Sequence, residues 1–233
     1  MIGNARRSLV VLGWVASFVL ALAQEPLPVA HVVLVGDSTV TDAAGWGGAF
    51  ARLLRPGVQC TNTARGGAST KSFRDGGNWT RALALQPTWV LIQFGHNDMP
   101  GKGPARETDA ATTYRTNLVR YIEEARASGA RPILVTSVVR RNFKDGKLVD
   151  LLADYAAAAR AVAAQQRVPL IDLHARSLAA VERLGPEGCA EFGPMKDGKR
   201  DSTHFSPAGA AWAAGLVAEE LRRVSPEMAR LLQ

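Results

Sequence analysis

The sequence predicts a three-layer α/β/α sandwich on a five-stranded parallel sheet. Four short apolar runs, at 32–35, 89–95, 132–139 and 168–173, together with a brief second strand at 58–62, supply the five strands, and the first run is rich in β-branched residues and closes on turn formers. Such runs read as strands buried on both faces. Helical patterns separate them, and strict alternation of strand and helix gives parallel pairing through right-handed crossovers. No repeat and no internal linker interrupts the pattern.

The elements follow in order. The first run closes on Gly36-Asp37-Ser38-Thr39. This is good turn and N-cap material. It also sets a serine just past a strand's carboxyl end, where open α/β sheets hold their ligands. A helix over 46–54 follows, with Trp46, Phe50 and Leu53/Leu54 on one stripe, ended by Pro56-Gly57. The second strand (58–62) leads into Ala64-Arg65-Gly66-Gly67-Ala68-Ser69, a glycine turn whose serine caps a short helix. The third run is the most apolar and therefore central; it ends in Gly95-His96-Asn97-Asp98.

A long helix is expected from about Thr108 to Ser128, with Ala111, Tyr114, Leu118, Tyr121/Ile122 and Ala125 three to four apart. The fourth strand opens on Pro132, where no ladder donor is lost. Residues 143–150 read as loop and 151–166 as an alanine-rich helix. The fifth strand precedes a helix over 174–184 and a polar loop over 185–200. Ser206-Pro207 then supplies an N-cap and a proline at the first helical position, opening a final helix to about Val224.

The 233 residues carry a net charge of +7. Arg6 and Arg7, the apolar stretch from Leu9 to Leu22, and Ala21-Leu22-Ala23 have the make-up of a secretory signal. Cleavage is expected after Ala23, leaving a single domain over 24–233 that is exported or periplasmic. The apolar stretch is shorter than the roughly 20 residues a spanning helix needs, so stable membrane insertion is not expected. Removing two arginines leaves +5. There is no run of five basic residues, which speaks against nucleic-acid binding; a mildly basic balance suits solubility or an acidic polysaccharide. Cys60 and Cys189 permit one disulfide in an exported protein, although Cys60 falls in a strand, where a buried thiol is common. No metal-ligand spacing is present, and neither cofactor nor metal is expected. A monomer is expected.

Four features fall at one edge of this sheet: Ser38, the Gly66/Gly67 turn, Asn97, and the pair Asp201 and His204 before the last helix. Each alone has a plainer reading, as a turn, a loop end or a surface histidine. Together, Gly36-Asp37-Ser38, the glycine after strand two, Gly95-His96-Asn97-Asp98 and Asp201-x-x-His204 resemble the four blocks of SGNH (GDSL-type) hydrolases, in order across 32–209. The resemblance implies a flavodoxin-like fold, Ser38 as nucleophile, His204 as base and Asp201 as its orienting acid. It implies an oxyanion hole from the Ser38 N–H, the Gly67 N–H and the Asn97 amide. A serine hydroxyl is inert near neutrality without such a base, and the tetrahedral oxyanion needs aimed donors.

Asp37 and Asp98 read as hydrogen-bonding loop residues, His31 and His174 as structural, and His96 as a neighbour of the site. Gly-Asp-Ser-Thr, Trp46-Gly47 and Asp201-x-Thr203-His204-x-Ser206-Pro207-x-Gly209 resemble rhamnogalacturonan acetylesterases of carbohydrate esterase family twelve. This implies removal of acetyl groups from an acetylated polysaccharide or oligosaccharide, pectin or xylan. A lysophospholipase or thioesterase, and a non-catalytic carbohydrate-binding relative, are the alternatives. The polar loops after Gly95 and around Phe143 argue against the first, and the intact serine and histidine against the second.

Overall fold

The computed structural model describes residues 30–233; the expected export signal and its cleavage site lie outside the described residues. The elements are β1 (His31–Gly36), α1 (Gly47–Ala51), β2 (Gln59–Asn62), α2 (Thr70–Asp75), α3 (Asn78–Ala84), β3 (Trp89–Gln93), α4 (Thr113–Ala127) and β4 (Arg131–Val135). There follow β5 (Phe143–Lys144), β6 (Lys147–Leu148), α5 (Ala153–Gln166), β7 (Leu170–Ile171), α6 (Leu173–Gly188), β8 (Met195–Lys196), β9 (Lys199–Arg200), α7 (Pro207–Val224) and α8 (Pro226–Ala229). The main sheet is parallel with order β2-β1-β3-β4-β7. The α/β expectation holds. In this order the chain reverses direction between β1 and β3, and a crevice opens at their carboxyl ends.

Strand alternation sorts the core. Val32 and Leu34 face one side, against Trp46, Phe50 and α7. Val33 and Val35 face the other, against Phe73, Tyr121 and the buried faces of α4 and α5. The five-residue α1 is too short to be stable on propensity. Its place is held by Trp46 and Phe50, both fully buried and packed edge to face at 5.8 Å, each worth about 1.5–3 kcal/mol of apolar burial. The Trp46 Nε1–H donates to Gln93 Oε1 (2.9 Å), and Gln93 Nε2 donates to Thr39 Oγ1 (2.7 Å). This chain of bonds ties α1 and β3 to the turn that carries Ser38.

Gly36 has no room for a side chain: a Cβ would stand 2.5 Å from Val40 Cγ2 and 2.6 Å from the Gln93 carbonyl oxygen. Gly36→Ala is expected to cost about 2–3 kcal/mol as overpacking, lowering Tm by roughly 5–10 °C. An unchanged Tm in thermal unfolding would contradict this packing.

Several boundaries differ from expectation. α4 starts at Thr113, not 108, because Thr108 is held by Asp98 through its N–H (2.9 Å) and hydroxyl (2.9 Å), and Asp109 makes a side-chain turn to the Thr112 N–H (2.9 Å). β7 keeps two residues of the expected six; it is an edge strand, and Asp172 leaves it to cap α6 at the Ala175 N–H. α6 continues past Leu184 across a kink at Gly185 (φ 67°). The two segments read as loops hold the hairpins β5–β6 and β8–β9. Cys60 and Cys189 are both free thiols, so the permitted disulfide is absent.

Candidate active site

The carboxyl ends of β1, β2 and β3 deliver three of the four sequence blocks to one crevice, and the segment before α7 delivers the last. Ser38 Oγ lies 2.9 Å from His204 Nε2, across 166 residues of chain. His204 Nδ1 lies 2.7 Å from Asp201 Oδ2. Asp201 Oδ1 also accepts from the Thr203 N–H (2.7 Å) and the His204 N–H (2.9 Å). The D-x-x-H spacing thus makes one closed turn in which a single carboxylate shapes the backbone and orients the ring. Burial raises the Asp201 pKa, but the His204 side chain and the two backbone donors outweigh it and hold the carboxyl down at about 2.

Asn97, Gly67 and Ser38 are the expected oxyanion donors. Asn97 is 9 % exposed. Its Nδ2 donates one hydrogen to the Ala68 carbonyl (3.0 Å), which fixes the amide and leaves its second N–H. Gly67 adopts φ +75°, a left-handed conformation natural to glycine. The Arg65 N–H donates to the Gly36 carbonyl (2.9 Å), drawing this turn against the serine. A Cβ added at Gly66 would lie 4.0 Å from Ser38 Cβ. Among the described residues, no acceptor takes the N–H of Ser38 or of Gly67.

The neighbouring acids serve the scaffold. Asp37 is buried and accepts from the Thr39 N–H (2.8 Å) and Oγ1–H (2.7 Å), with His96 Nδ1 at 3.2 Å. Burial raises its pKa, yet His96 and Thr39 bring it below the ordinary value. Asp98 joins two loops by accepting from the Thr70 N–H (3.0 Å), Thr70 Oγ1 (2.5 Å) and Thr108 Oγ1 (2.9 Å). Its burial outweighs those donors and pushes the carboxyl up to about 7. His31 bonds Thr61 Oγ1 (2.8 Å) and the Leu85 carbonyl (3.1 Å), and His174 pairs with Asp150 (3.0 Å). Both are structural, as expected from the sequence.

Two residues escaped the sequence reading. Arg141 is buried beneath the Asp201–His204 turn. Its Nη2 donates to the carbonyls of Asp201 (2.9 Å) and His204 (2.6 Å), and its guanidinium lies 5.0 Å from the Phe205 ring centroid. Burial lowers its pKa to about 10, which leaves it charged near neutrality. Arg140 bonds Thr203 Oγ1 and donates to the His96 carbonyl (3.2 Å), joining the histidine turn to the Asn97 loop. Arginine in a sequence reads as surface, and nothing local marks either as a brace.

Residues 34–212 match the GDSL-like lipase/acylhydrolase family. The chain belongs to this family. The GDSL-like hydrolase is 40% identical over 214 residues to the rhamnogalacturonan acetylesterase RhgT of Bacillus subtilis (strain 168), covering 83% of this chain and 90% of RhgT. Among solved structures, the Bacillus subtilis protein YxiM superposes with a TM-score of 0.71 at 28% identity; the match covers 85% of this chain and 57% of that one. The acetylxylan esterase Axe2 of Geobacillus stearothermophilus shares the fold, with a TM-score of 0.64 at 16% identity over 83% of this chain and 93% of its own. The GDSL-like hydrolase is a carboxylic ester hydrolase by family.

Proposed function

We propose that this hydrolase is an exported serine acetylesterase that removes O-acetyl groups from plant cell-wall polysaccharide, rhamnogalacturonan first and acetylxylan second. The observation that carries the reading is the line Ser38 Oγ–His204–Asp201, at 2.9 and 2.7 Å. Support for the substrate comes from the similarity to RhgT, and for secretion from the make-up of residues 1–23.

In this mechanism Ser38 Oγ attacks the acetyl carbonyl as His204 Nε2 takes its proton. Asp201 keeps the Nδ1–H tautomer and stabilises the imidazolium. The oxyanion is held by the N–H groups of Ser38 and Gly67 and the free N–H of Asn97. Collapse expels the sugar hydroxyl, protonated by His204, and leaves acetyl on Ser38. Water, deprotonated by His204, releases acetate and restores the serine. The serine's first proton leaves on the sugar hydroxyl, the proton His204 takes from water restores the serine, and the acetic acid formed gives its own proton to solvent.

The test is acetate release from acetylated rhamnogalacturonan, acetylated xylan and an aryl acetate, alongside a long-chain acyl ester. The expected result is the highest kcat/KM on acetylated rhamnogalacturonan and little turnover of the long chain. Faster turnover of the long-chain ester, or no acetate from either polymer, would overturn the proposal.

A further inference from the structure

Two buried side chains, each next in sequence to a reacting group, touch each other. Asp37 precedes Ser38, and His96 precedes Asn97. Asp37 is fully buried and His96 is 1 % exposed. His96 Nδ1 lies 3.2 Å from Asp37 Oδ2, across 59 residues of chain. The strands that carry them, β1 and β3, are paired as far as Gly36 and Gln93. Beyond that last pair, the Asp37–His96 contact joins the turn of the nucleophile to the Asn97 loop.

The two carboxylate oxygens of Asp37 have separate partners. Oδ1 accepts from the Thr39 N–H and hydroxyl and so shapes the serine turn. Oδ2 faces His96. The backbone of His96 is held as well. Its carbonyl accepts from Arg140 Nη2 (3.2 Å), and the same guanidinium bonds Thr203 Oγ1, beside His204. His96 thus connects, directly or through one side chain, with the turns of the nucleophile and the base, while its own loop carries the asparagine.

The ring does this with one nitrogen. Nε2 is buried and meets no protein partner among the described residues, a costly arrangement for a polar atom. The Nδ1 contact is what the imidazole adds over a hydrocarbon of similar shape, and without it Asp37 Oδ2 would be a buried, unpaired oxygen.

Attack requires Ser38 Oγ and the Asn97 N–H to flank one carbonyl. The donor must reach the position of the oxyanion, not that of the ground-state oxygen. A loose Asn97 loop therefore weakens the transition state more than it weakens substrate binding. A contact one residue removed from each group is placed to set their separation.

We infer that His96 is a positioning residue of the oxyanion hole, its Nδ1 contact with Asp37 fixing the spacing between Ser38 and Asn97. The inference rests on the serine-esterase reading above and adds to it the residue that holds nucleophile and donor in register.

An asparagine at position 96 can set its amide nitrogen near the place of Nδ1, whereas a glutamine carries its amide out toward the place of Nε2. The experiment measures hydrolysis of an aryl acetate and the affinity of a boronic acid, to which Ser38 Oγ adds to give a tetrahedral anion. H96Q is expected to lose about 10²-fold in kcat with KM within about twofold, and to lose boronate affinity by the same factor. H96N is expected to stay within about fivefold of wild type in both. H174Q, at a buried structural histidine paired with Asp150, is expected to lower Tm and leave kcat unchanged. Wild-type kcat and boronate affinity in H96Q, or a fall in H96N as deep as that in H96Q, would overturn the positioning role. A fall in kcat with boronate affinity intact would overturn it too, because the oxyanion geometry would then be unaltered. A Ser38→Ala protein with undiminished turnover would overturn the esterase reading itself.

Discussion

Ser38→Ala is expected to lower kcat for acetate release by about 10⁴–10⁶-fold, with the fold unchanged. The serine makes one polar side-chain contact, the 2.9 Å bond to His204. Its turn is held by others: Asp37 and Thr39 through their mutual bonds, and Thr41 through its hydroxyl to the Ser38 carbonyl (2.7 Å). Circular dichroism and Tm should match wild type while steady-state turnover collapses. A variant retaining a tenth of wild-type turnover would remove Ser38 from the chemistry.

Asp201→Asn is expected to cost about 10⁴-fold in kcat, and the geometry says why. An asparagine carbonyl at Oδ1 can keep the bonds from the Thr203 and His204 N–H groups, so the turn survives. Its amide nitrogen would then face His204 Nδ1, which must become an acceptor. The proton moves to Nε2, which then donates to Ser38 rather than accepting from it. Asp201→Ala loses the turn as well, and should fall in Tm in addition to kcat.

The pH dependence follows from the same contacts. The Asp201 carboxyl is held down at about 2, against roughly 4 in an unfolded chain. Its ion pair and hydrogen bonds therefore contribute stability above the unfolded value, and that contribution is lost as pH falls from about 4 through about 2. Asp201 stays ionised over any working range, so protonation of its carboxyl does not set the acid limb of kcat/KM. A wild-type acid limb set by the carboxylate would contradict this assignment.

What could be read in the sequence and what could not divide along physical lines. Ser38, Gly67 and Asn97 each follow a strand whose apolar run is visible locally, and a parallel sheet brings such ends together by construction. Asp201 and His204 were legible because three residues of spacing close one turn. The sheet edge was read less well: β7 is short because Asp172 is drawn off to cap α6.

The two hairpins carried a signal that went unused. Lys144-Asp145-Gly146-Lys147 and Lys196-Asp197-Gly198-Lys199 repeat an Asp-Gly pair, with φ values of 51° and 73° in one and 51° and 72° in the other. Such pairs favour two-residue hairpin turns. With only two residues of strand on each side, no alternating pattern framed them. Arg140 and Arg141 lay beyond local reading. Their places depend on loops from distant parts of the chain meeting at the crevice, and a charge that looks like surface becomes a brace for the Asp201–His204 turn.

The central claim is that acetyl passes through Ser38. Rapid quenching of the wild-type protein during turnover of an aryl acetate, followed by mass analysis of its peptides, tests it directly. The account predicts one added acetyl group on the peptide that contains Ser38, absent from Ser38→Ala under the same conditions. Continued turnover with no acetylated peptide, or with the acetyl on a different side chain, would contradict it.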